Sequence, residues 1–190
     1  EMLRSLVGSE MCIRDRNKSG WACKLQAEIM LGDRKMDEKT NVMRILDKKK
    51  ILYESHCYAD TGAVSGLEVA ETLGQNPSQV FKTLVTLGKS RKNYVFVIPV
   101  NRELDLKKAA RAAGEKSVEM VKSKELLPLT GYIHGGCSPL GMKKYFPTFI
   151  DTSAENMESF CVSAGRIGYQ IELSLGELRK VIRVETADLT

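Results

Sequence analysis

Along residues 36–190 the spacing of apolar residues alternates between the period of a helix and the period of a strand. A helical spacing of apolar side chains predicts a first helix over residues 37–49. Ser65 and Glu68 have the spacing of a capping box, which predicts the start of a second helix over residues 66–73. Further helices are predicted between Asp105 and Gly114, within residues 117–126, after Thr152 and after Ser174.

Short runs of alternating apolar residues between these helices predict strands. Residues 80–87 and 94–100 are joined by a short basic turn, so we expect them to form a hairpin. The other predicted strands cover residues 52–58, 131–134, 148–151, 159–163, 170–173 and 181–184. This order is not a regular βαβ alternation. It predicts an α+β fold with a mixed, curved sheet or open barrel surrounded by helices.

Residues 1–35 differ from the rest of the chain, because they show no sustained helical or strand period. The segment from Ser5 to Arg16 also resembles a spurious sequence found at the ends of some translated gene models. We therefore interpret residues 1–35 as a non-native or disordered extension and residues 36–190 as one domain. A natural disordered or helical extension is the alternative.

Composition narrows the class of protein. The chain has 190 residues, of which 43% are hydrophobic and 28% charged, as in soluble globular domains. It lacks an apolar run of the ~20 residues needed to cross a bilayer, and its first residues do not form a signal peptide, so we expect a cytoplasmic protein. The net charge of +5 is compatible with nucleic-acid binding but does not identify it.

The cysteines and histidines give little sign of a metal site or a disulfide framework. The five cysteines are odd in number and include no CxxC pair, and the chain has two histidines. The sequence therefore predicts no metal and no cofactor. Cys137 could be a nucleophile, but nothing in the sequence orients His134 toward it as a base, so this role is not favoured.

Four features carry candidate chemistry. Lys82 lies within a largely apolar strand, where it is either an edge residue that reaches water or a cation held in a pocket. The glycine-rich loop, residues 134–141, can aim backbone N–H groups at an anion or can be a structural turn. Asp151 ends a strand, where it either stabilises the following helix or orients a ligand group. Tyr58 ends the first strand and could line a pocket.

These segments together resemble a known family. From about residue 36 to the C-terminus the chain is similar to the YbaK-type Cys-tRNA(Pro)/Cys-tRNA(Cys) deacylases, part of the superfamily of editing domains associated with prolyl-tRNA synthetase. The resemblance is carried, in the family's order, by residues 79–84 (QVFKTL), 104–108 (LDLKK), 131–141 (GYIHGGCSPLG), 150–151 (ID) and 162–165 (VSAG).

The resemblance implies that the protein hydrolyses Cys-tRNA(Pro), which prolyl-tRNA synthetase forms by a charging error. In this family the thiol of the substrate is thought to attack its own aminoacyl ester and release a thiolactone. Such a site needs no protein nucleophile, metal or cofactor. The implied partners are aminoacyl-tRNA and, for selection of the tRNA, prolyl-tRNA synthetase; no membrane is implied.

The resemblance also assigns residues. Lys82 would hold the substrate or a phosphate of the terminal adenosine, and Asp151 would fix the substrate. Backbone N–H groups that stabilise charge would come from Gly135 and Gly136. Contacts with the substrate would come from Tyr58, Ser138 and Pro139.

The segment before the lysine strand departs from the family pattern. Some members carry a phenylalanine there, where this chain has the shorter residues 63–66 (AVSG). The size of the pocket is therefore open, and so is the amino acid it selects. The alternatives are a deacylase for another small aminoacyl-tRNA and a module that binds tRNA or the synthetase without chemistry.

Deleting residues 1–35 tests the interpretation of the N-terminal segment. We expect the free energy of unfolding and the deacylation rate to stay unchanged, because the predicted core lies within residues 36–190. Denaturant unfolding and a deacylation assay of both chains measure this. A large loss of either quantity would show that residues 1–35 belong to the working domain.

Overall fold

The computed structural model describes residues 39–63 and 65–190, so the predicted extension over residues 1–35 lies outside the described residues. The helices of the described part are α1 (Asn41–Lys48), α2 (Gly66–Thr72), α3 (Leu106–Ala112), α4 (Ser123–Thr130) and α5 (Leu175–Val181). Its strands are β1 (Glu54–Cys57), β2 (Phe81–Gly88), β3 (Asn93–Pro99), β4 (Val118–Met120), β5 (Thr148–Asp151), β6 (Phe160–Ser163), β7 (Tyr169–Leu173) and β8 (Val184–Ala187). Short 3-10 turns span Ala59–Thr61, Pro77–Gln79 and Thr152–Asn156.

Side-chain caps begin several of the helices where the sequence predicts them. The Ser65 side chain accepts from the Glu68 N–H, and the Glu68 carboxylate accepts from the Ser65 N–H, so the capping box of α2 is complete. Asp105 accepts from two N–H groups at the start of α3. Ser174 accepts from the Glu177 N–H and begins α5. These local bonds satisfy N–H groups that have no partner within the helix.

The strands form two sheets. The larger has the order β4-β2-β3-β5-β8, in which β2 is antiparallel to β3 and β4, whereas β5 is parallel to β3 and β8. The smaller is antiparallel, with the order β1-β7-β6. A single bridge between Val80 and Cys161 links the two sheets. The predicted α+β class with a mixed sheet is therefore confirmed, and the predicted hairpin is β2–β3.

Apolar side chains fill the space on both sides of the larger sheet. Phe81 and Phe160 pack with their ring centroids 5.0 Å apart in the main cluster, which joins β2 to the smaller sheet. On the other face Phe96 and Phe149 stack 5.5 Å apart, beside the buried Ala109 of α3. The two clusters hold β2 and β3 rigidly between them, and β2 carries Lys82. No helix in the described ranges is both long and apolar enough for a membrane span.

The prediction for residues 117–134 is wrong in two places. Residues 118–120 form β4 because they pair with residues 86–88 of β2, so the helix begins only at Ser123. Helix α4 then continues to Thr130, and Gly131 ends it in a left-handed conformation with φ 88°. The predicted strand at residues 131–134 is instead a loop, which is anchored where the Tyr132 hydroxyl donates to the Leu140 carbonyl at 2.6 Å.

Two predictions near the C-terminus are shifted. Asp151, not Thr152, caps the turn that follows β5, because its side chain accepts from the Ser153 N–H. The closing strand is β8, which begins at Val184 because α5 extends to Val181. Strand β8 lies beside β5 and completes the larger sheet at that edge.

Candidate active site

A cavity of about 590 Å³ opens beside the first half of β2. Strand β4 pairs only with residues 86–88, so residues 81–85 of β2 face the cavity on that side. Helix α2, the start of α4, the glycine-rich loop and the smaller sheet contribute the other walls. The volume falls within the ~300–1,000 Å³ typical of small-molecule sites. This cavity is the candidate active site.

Lys82 lines the cavity and is half-buried. Its Nζ donates to Glu103 Oε1 at 3.0 Å and to the Val100 carbonyl at 3.5 Å. The Glu103 side chain is 93% exposed, so this ion pair contributes little and can be exchanged for another anion. Lys82 therefore belongs to the cavity wall, and its role in holding a ligand stays a prediction.

Gln170 is a feature of the cavity that the sequence reasoning missed. It lies on β7, is 5% exposed and lines the cavity. Its Oε1 atom is buried and has no hydrogen-bond donor among the described residues. Such atoms are rare in folded proteins because they cost free energy, and a bound ligand is one way to satisfy them. The signal was the alternation along β7, where Gln170 and Glu172 share one face while Ile171 and Leu173 share the other.

Two further polar side chains line the same cavity. The hydroxyl oxygen of Thr83 is buried and has no partner among the described residues. Tyr58, which the sequence predicts as a contact of the substrate, is 6% exposed and lies in the cavity wall. Burial raises the pKa of Tyr58, so its phenol stays neutral near pH 7 and keeps its hydroxyl proton. The cavity wall therefore carries neutral hydrogen-bonding groups in addition to the Lys82 cation.

The two glycines of the predicted site differ in position. Gly135 lines the cavity and has a φ of 83°, a conformation that favours glycine. Gly136 is buried, and its N–H donates to the Ile133 carbonyl at 3.1 Å. The Gly136 N–H is therefore engaged in the turn, which leaves Gly135 as the glycine of the pair that faces the cavity.

Ser138 and Pro139 do not line this cavity. Ser138 is fully buried, and its hydroxyl accepts from the Leu140 N–H at 3.3 Å. Pro139 lines a separate cavity of about 180 Å³, together with Lys144. Ser138 thus stabilises the turn of the loop, and neither residue belongs to the cavity lining that contains Lys82.

Asp151 also lies outside the lining of the main cavity. It is 2% exposed, and its Oδ1 accepts from the Ser153 N–H at 3.0 Å. Its Oδ2 accepts from the Leu189 N–H at 3.2 Å and from the Thr190 hydroxyl at 3.4 Å. These contacts fasten the C-terminal residues to the end of β5. The Ser153 contact matches the capping role that the sequence left open, and the contacts with Leu189 and Thr190 were not predicted.

The cysteines near the cavity are held as thiols. Cys137 lines the cavity, but burial raises its pKa to about 12, so it carries a proton near pH 7. Burial also raises the pKa of Cys161 to about 12. Because the thiolate is the nucleophilic form, neither residue is prepared for attack. The sequence did not favour Cys137 as a nucleophile, and the structure agrees.

Comparison with known proteins also connects this sequence with aminoacyl-tRNA editing. The family model described as the aminoacyl-tRNA editing domain matches residues 62–181. A protein of Enterococcus faecalis named "Putative Cys-tRNA(Pro)/Cys-tRNA(Cys) deacylase EbsC" is 44% identical over 161 residues, which cover 84% of this chain and 98% of that protein. The match therefore includes nearly the whole length of that relative.

The chain is also similar to part of a proline–tRNA ligase and to a solved structure. A proline–tRNA ligase of Shouchella clausii is 30% identical over 102 residues, which cover 54% of this chain and 18% of the ligase. A solved structure described as a putative trans-editing enzyme for prolyl-tRNA synthetase superposes with a TM-score of 0.69 at 23% identity, over 78% of this chain and 94% of that chain. At this identity the superposition establishes the fold alone.

Replacing Asp151 by alanine tests its structural role. We expect Asp151→Ala to lower the free energy of unfolding by about 2–3 kcal/mol, because the buried Leu189 N–H loses a charged acceptor. The matched control is Asp188→Ala, which removes an exposed ion pair with Lys108 and should cost less than about 1 kcal/mol. Denaturant unfolding measures both. Equal stability of Asp151→Ala and the unmodified chain would contradict this role.

Proposed function

Because this chain belongs to the family of aminoacyl-tRNA editing domains, we propose that it removes cysteine in trans from mischarged tRNA(Pro). The match to the relative named as a Cys-tRNA(Pro)/Cys-tRNA(Cys) deacylase supports this choice of substrate. The structural observation that carries the proposal is the composition of the cavity. It combines a lysine with an unsatisfied buried amide oxygen, and the pKa of its lining thiol, Cys137, is raised by burial, so this thiol is not prepared to act as a nucleophile.

The reaction takes its nucleophile from the substrate. The thiol of the cysteinyl group attacks its own ester carbonyl, so a carbon–sulfur bond forms and the bond to the ribose oxygen breaks. The thiol proton passes to that ribose oxygen, which leaves as the hydroxyl of free tRNA. Water then opens the released thiolactone to cysteine. A domain that catalyses this step has to hold the ester in a reactive geometry and stabilise the developing charge.

Lys82, Gln170 and Gly135 are the residues that we assign to this task. The Lys82 ammonium exchanges Glu103 for the oxyanion of the ester or for a phosphate of the terminal adenosine. The Oε1 of Gln170 accepts from the α-ammonium group of the cysteinyl residue, which satisfies an atom otherwise left without a partner. Gly135 presents backbone to the ester without a side chain in the way. Tyr58 closes the wall beside them.

Basic residues near the cavity suit the rest of the tRNA. Lys122 and Lys124 are exposed and flank Ser123, which lines the cavity. We place the phosphates of the acceptor end on these two lysines, which makes binding dependent on salt. The match to a segment of a proline–tRNA ligase supports prolyl-tRNA synthetase as the partner that supplies tRNA(Pro). We place the reaction in the cytoplasm, as the sequence predicts.

A deacylation panel tests the proposal. The full chain should release free tRNA from Cys-tRNA(Pro) in a metal-free buffer, and Lys82→Ala should lower kcat/KM by about 100-fold or more, because it removes the cation at the reacting group. Ser-tRNA(Pro) should survive, since a serine hydroxyl is a far weaker nucleophile than a thiol. Acid-gel analysis of radiolabelled tRNA over time measures each rate.

The matched control for Lys82→Ala is Lys92→Ala. Lys92 is an exposed lysine in the turn of the same hairpin and lies outside the cavity lining, so its removal should leave kcat/KM within about twofold. Hydrolysis of Ser-tRNA(Pro) as fast as Cys-tRNA(Pro) would reject attack by the substrate thiol. Preference for another small aminoacyl-tRNA would replace cysteine as the substrate. Tight tRNA binding without turnover on any ester would favour a module that only binds.

A further inference from the structure

The smaller sheet carries a polar cluster that the proposed deacylation does not use. Antiparallel partners share one face of a sheet, so the pairing of Glu172 with Glu54 and with Cys161 places these three side chains on the same face. His56, two residues after Glu54, lies on that face as well. The face therefore combines an imidazole, a thiol and two carboxylates, each from a rigid strand.

Three of these side chains converge on one point. His56 Nε2 lies 2.9 Å from Glu172 Oε2, and Cys161 Sγ lies 3.8 Å from the same oxygen. The three potential ligand atoms all lie within 4.8 Å of one another. We infer that His56, Cys161 and Glu172 form a binding site for one thiophilic divalent cation, with Zn²⁺ as the best match. The sequence analysis predicted no metal site.

The two contacts of Glu172 Oε2 fit tetrahedral coordination after small movements. Zn²⁺ binds nitrogen and carboxylate oxygen at about 2.0–2.2 Å and sulfur at about 2.3 Å. Tetrahedral angles then separate nitrogen from oxygen by about 3.4 Å and sulfur from oxygen by about 3.6 Å. The His56 and Cys161 atoms thus need to shift by about 0.5 Å or less relative to Glu172 Oε2. Their separation from each other, which is within 4.8 Å, has to become about 3.6 Å, so a side-chain rotation of His56 or Cys161 accompanies binding. Imidazole, thiolate and carboxylate are also the ligand types that Zn²⁺ prefers.

Neighbouring groups orient the carboxylate for this role. The Ser159 hydroxyl donates to Glu172 Oε1, which directs the other oxygen toward His56 and Cys161. Hydrogen bonds of this kind to a ligand are a regular feature of metal sites in proteins. His56 and Glu172 are 27% and 29% exposed, so an ion can enter from solvent, and a water molecule can complete the coordination.

The charges around the cluster favour a cation. Glu54 and Glu172 lie directly opposite each other, and like charges in this position repel. When the ion binds, a sulfur–metal bond forms and the Cys161 proton passes to solvent, with no transfer of electrons. The Glu172 carboxylate and the Cys161 thiolate then balance the two positive charges of the ion. The site does not depend on the proposed deacylation and can be tested without tRNA.

Metal binding by the full chain tests the inference. The starting protein carries Cys12→Ser, Cys23→Ser and Cys57→Ser, so that only Cys137 and Cys161 remain as thiols, and a chelator removes bound metal. Titration calorimetry with ZnCl2 should then give one ion per chain. In this protein Cys161→Ser should weaken binding at least about tenfold, and Ser159→Ala about tenfold by releasing the Glu172 carboxylate.

Cys137→Ser is the matched control, because it removes the other buried thiol and should leave the affinity for Zn²⁺ within about twofold. Cobalt substitution identifies the ligand, since the thiolate-to-Co²⁺ absorption band should vanish in Cys161→Ser and persist in Cys137→Ser. Thermal unfolding checks that each variant folds, and Zn²⁺ should raise Tm only where the site is intact. Where Cys161→Ser does not fold, His56→Gln should weaken binding in its place. The absence of saturable binding, or equal affinity in Cys161→Ser, would overturn the site.

Discussion

The register of β2 against β3 is the constraint on which the rest of the site depends. Lys82 lies opposite Ile98 and Leu84 lies opposite Phe96, while Phe81 and Val85 fill the main core cluster from the other face of β2. A slip of one residue would exchange the two faces and drive the Lys82 ammonium into that cluster. Burying an unpaired ammonium costs several kcal/mol, so the hydrophobic core itself fixes where the lysine points.

The same strand also creates the space that Lys82 lines. Strand β4 covers residues 86–88 of β2, and at the other end a backbone bridge joins Val80, just before β2, to Cys161 of the smaller sheet. Between these two contacts the edge of β2 that faces away from β3 has no strand beside it, and residues 81–85 form a wall of the cavity. The smaller sheet turns its polar face toward this gap and contributes Gln170. The site thus forms where the two sheets fail to close into one barrel.

Local signals predicted much of the fold, because they act over a few residues. The caps at Ser65, Asp105 and Ser174 and the β2–β3 hairpin all follow from hydrogen bonds and alternation within a short segment. The loop after α4 was predicted as a strand. The hydrogen bond from the Tyr132 hydroxyl to the Leu140 carbonyl, which fixes this loop, cannot be read from the pattern of neighbouring residues. Strand β4 was missed for a related reason, because its partner is distant in the chain.

For the site too, the sequence predicted some residues, whereas the roles of others depend on contacts between distant parts of the chain. Lys82, Gly135 and Tyr58 were predicted and line the cavity, whereas Asp151 is used as a cap beneath the C-terminal residues. Gln170 was missed because its importance comes from a missing partner, which only the assembled cavity reveals. Similarly, His56 and Cys161 come close only through the pairing of their strands with β7, so their spacing along the chain gave no sign of a metal site.

The most direct test of the central claim is a crystal structure of the full chain with a non-hydrolysable analogue, in which an amide joins cysteine to 3′-amino-3′-deoxyadenosine. We expect the cysteinyl group to occupy the cavity, with its α-ammonium group within hydrogen-bond distance of Gln170 Oε1. The amide carbonyl should lie between Lys82 Nζ and Gly135, and Glu103 should have moved away from Lys82. An analogue bound outside this cavity, with the contact between Lys82 and Glu103 intact, would show that the cavity is not the active site.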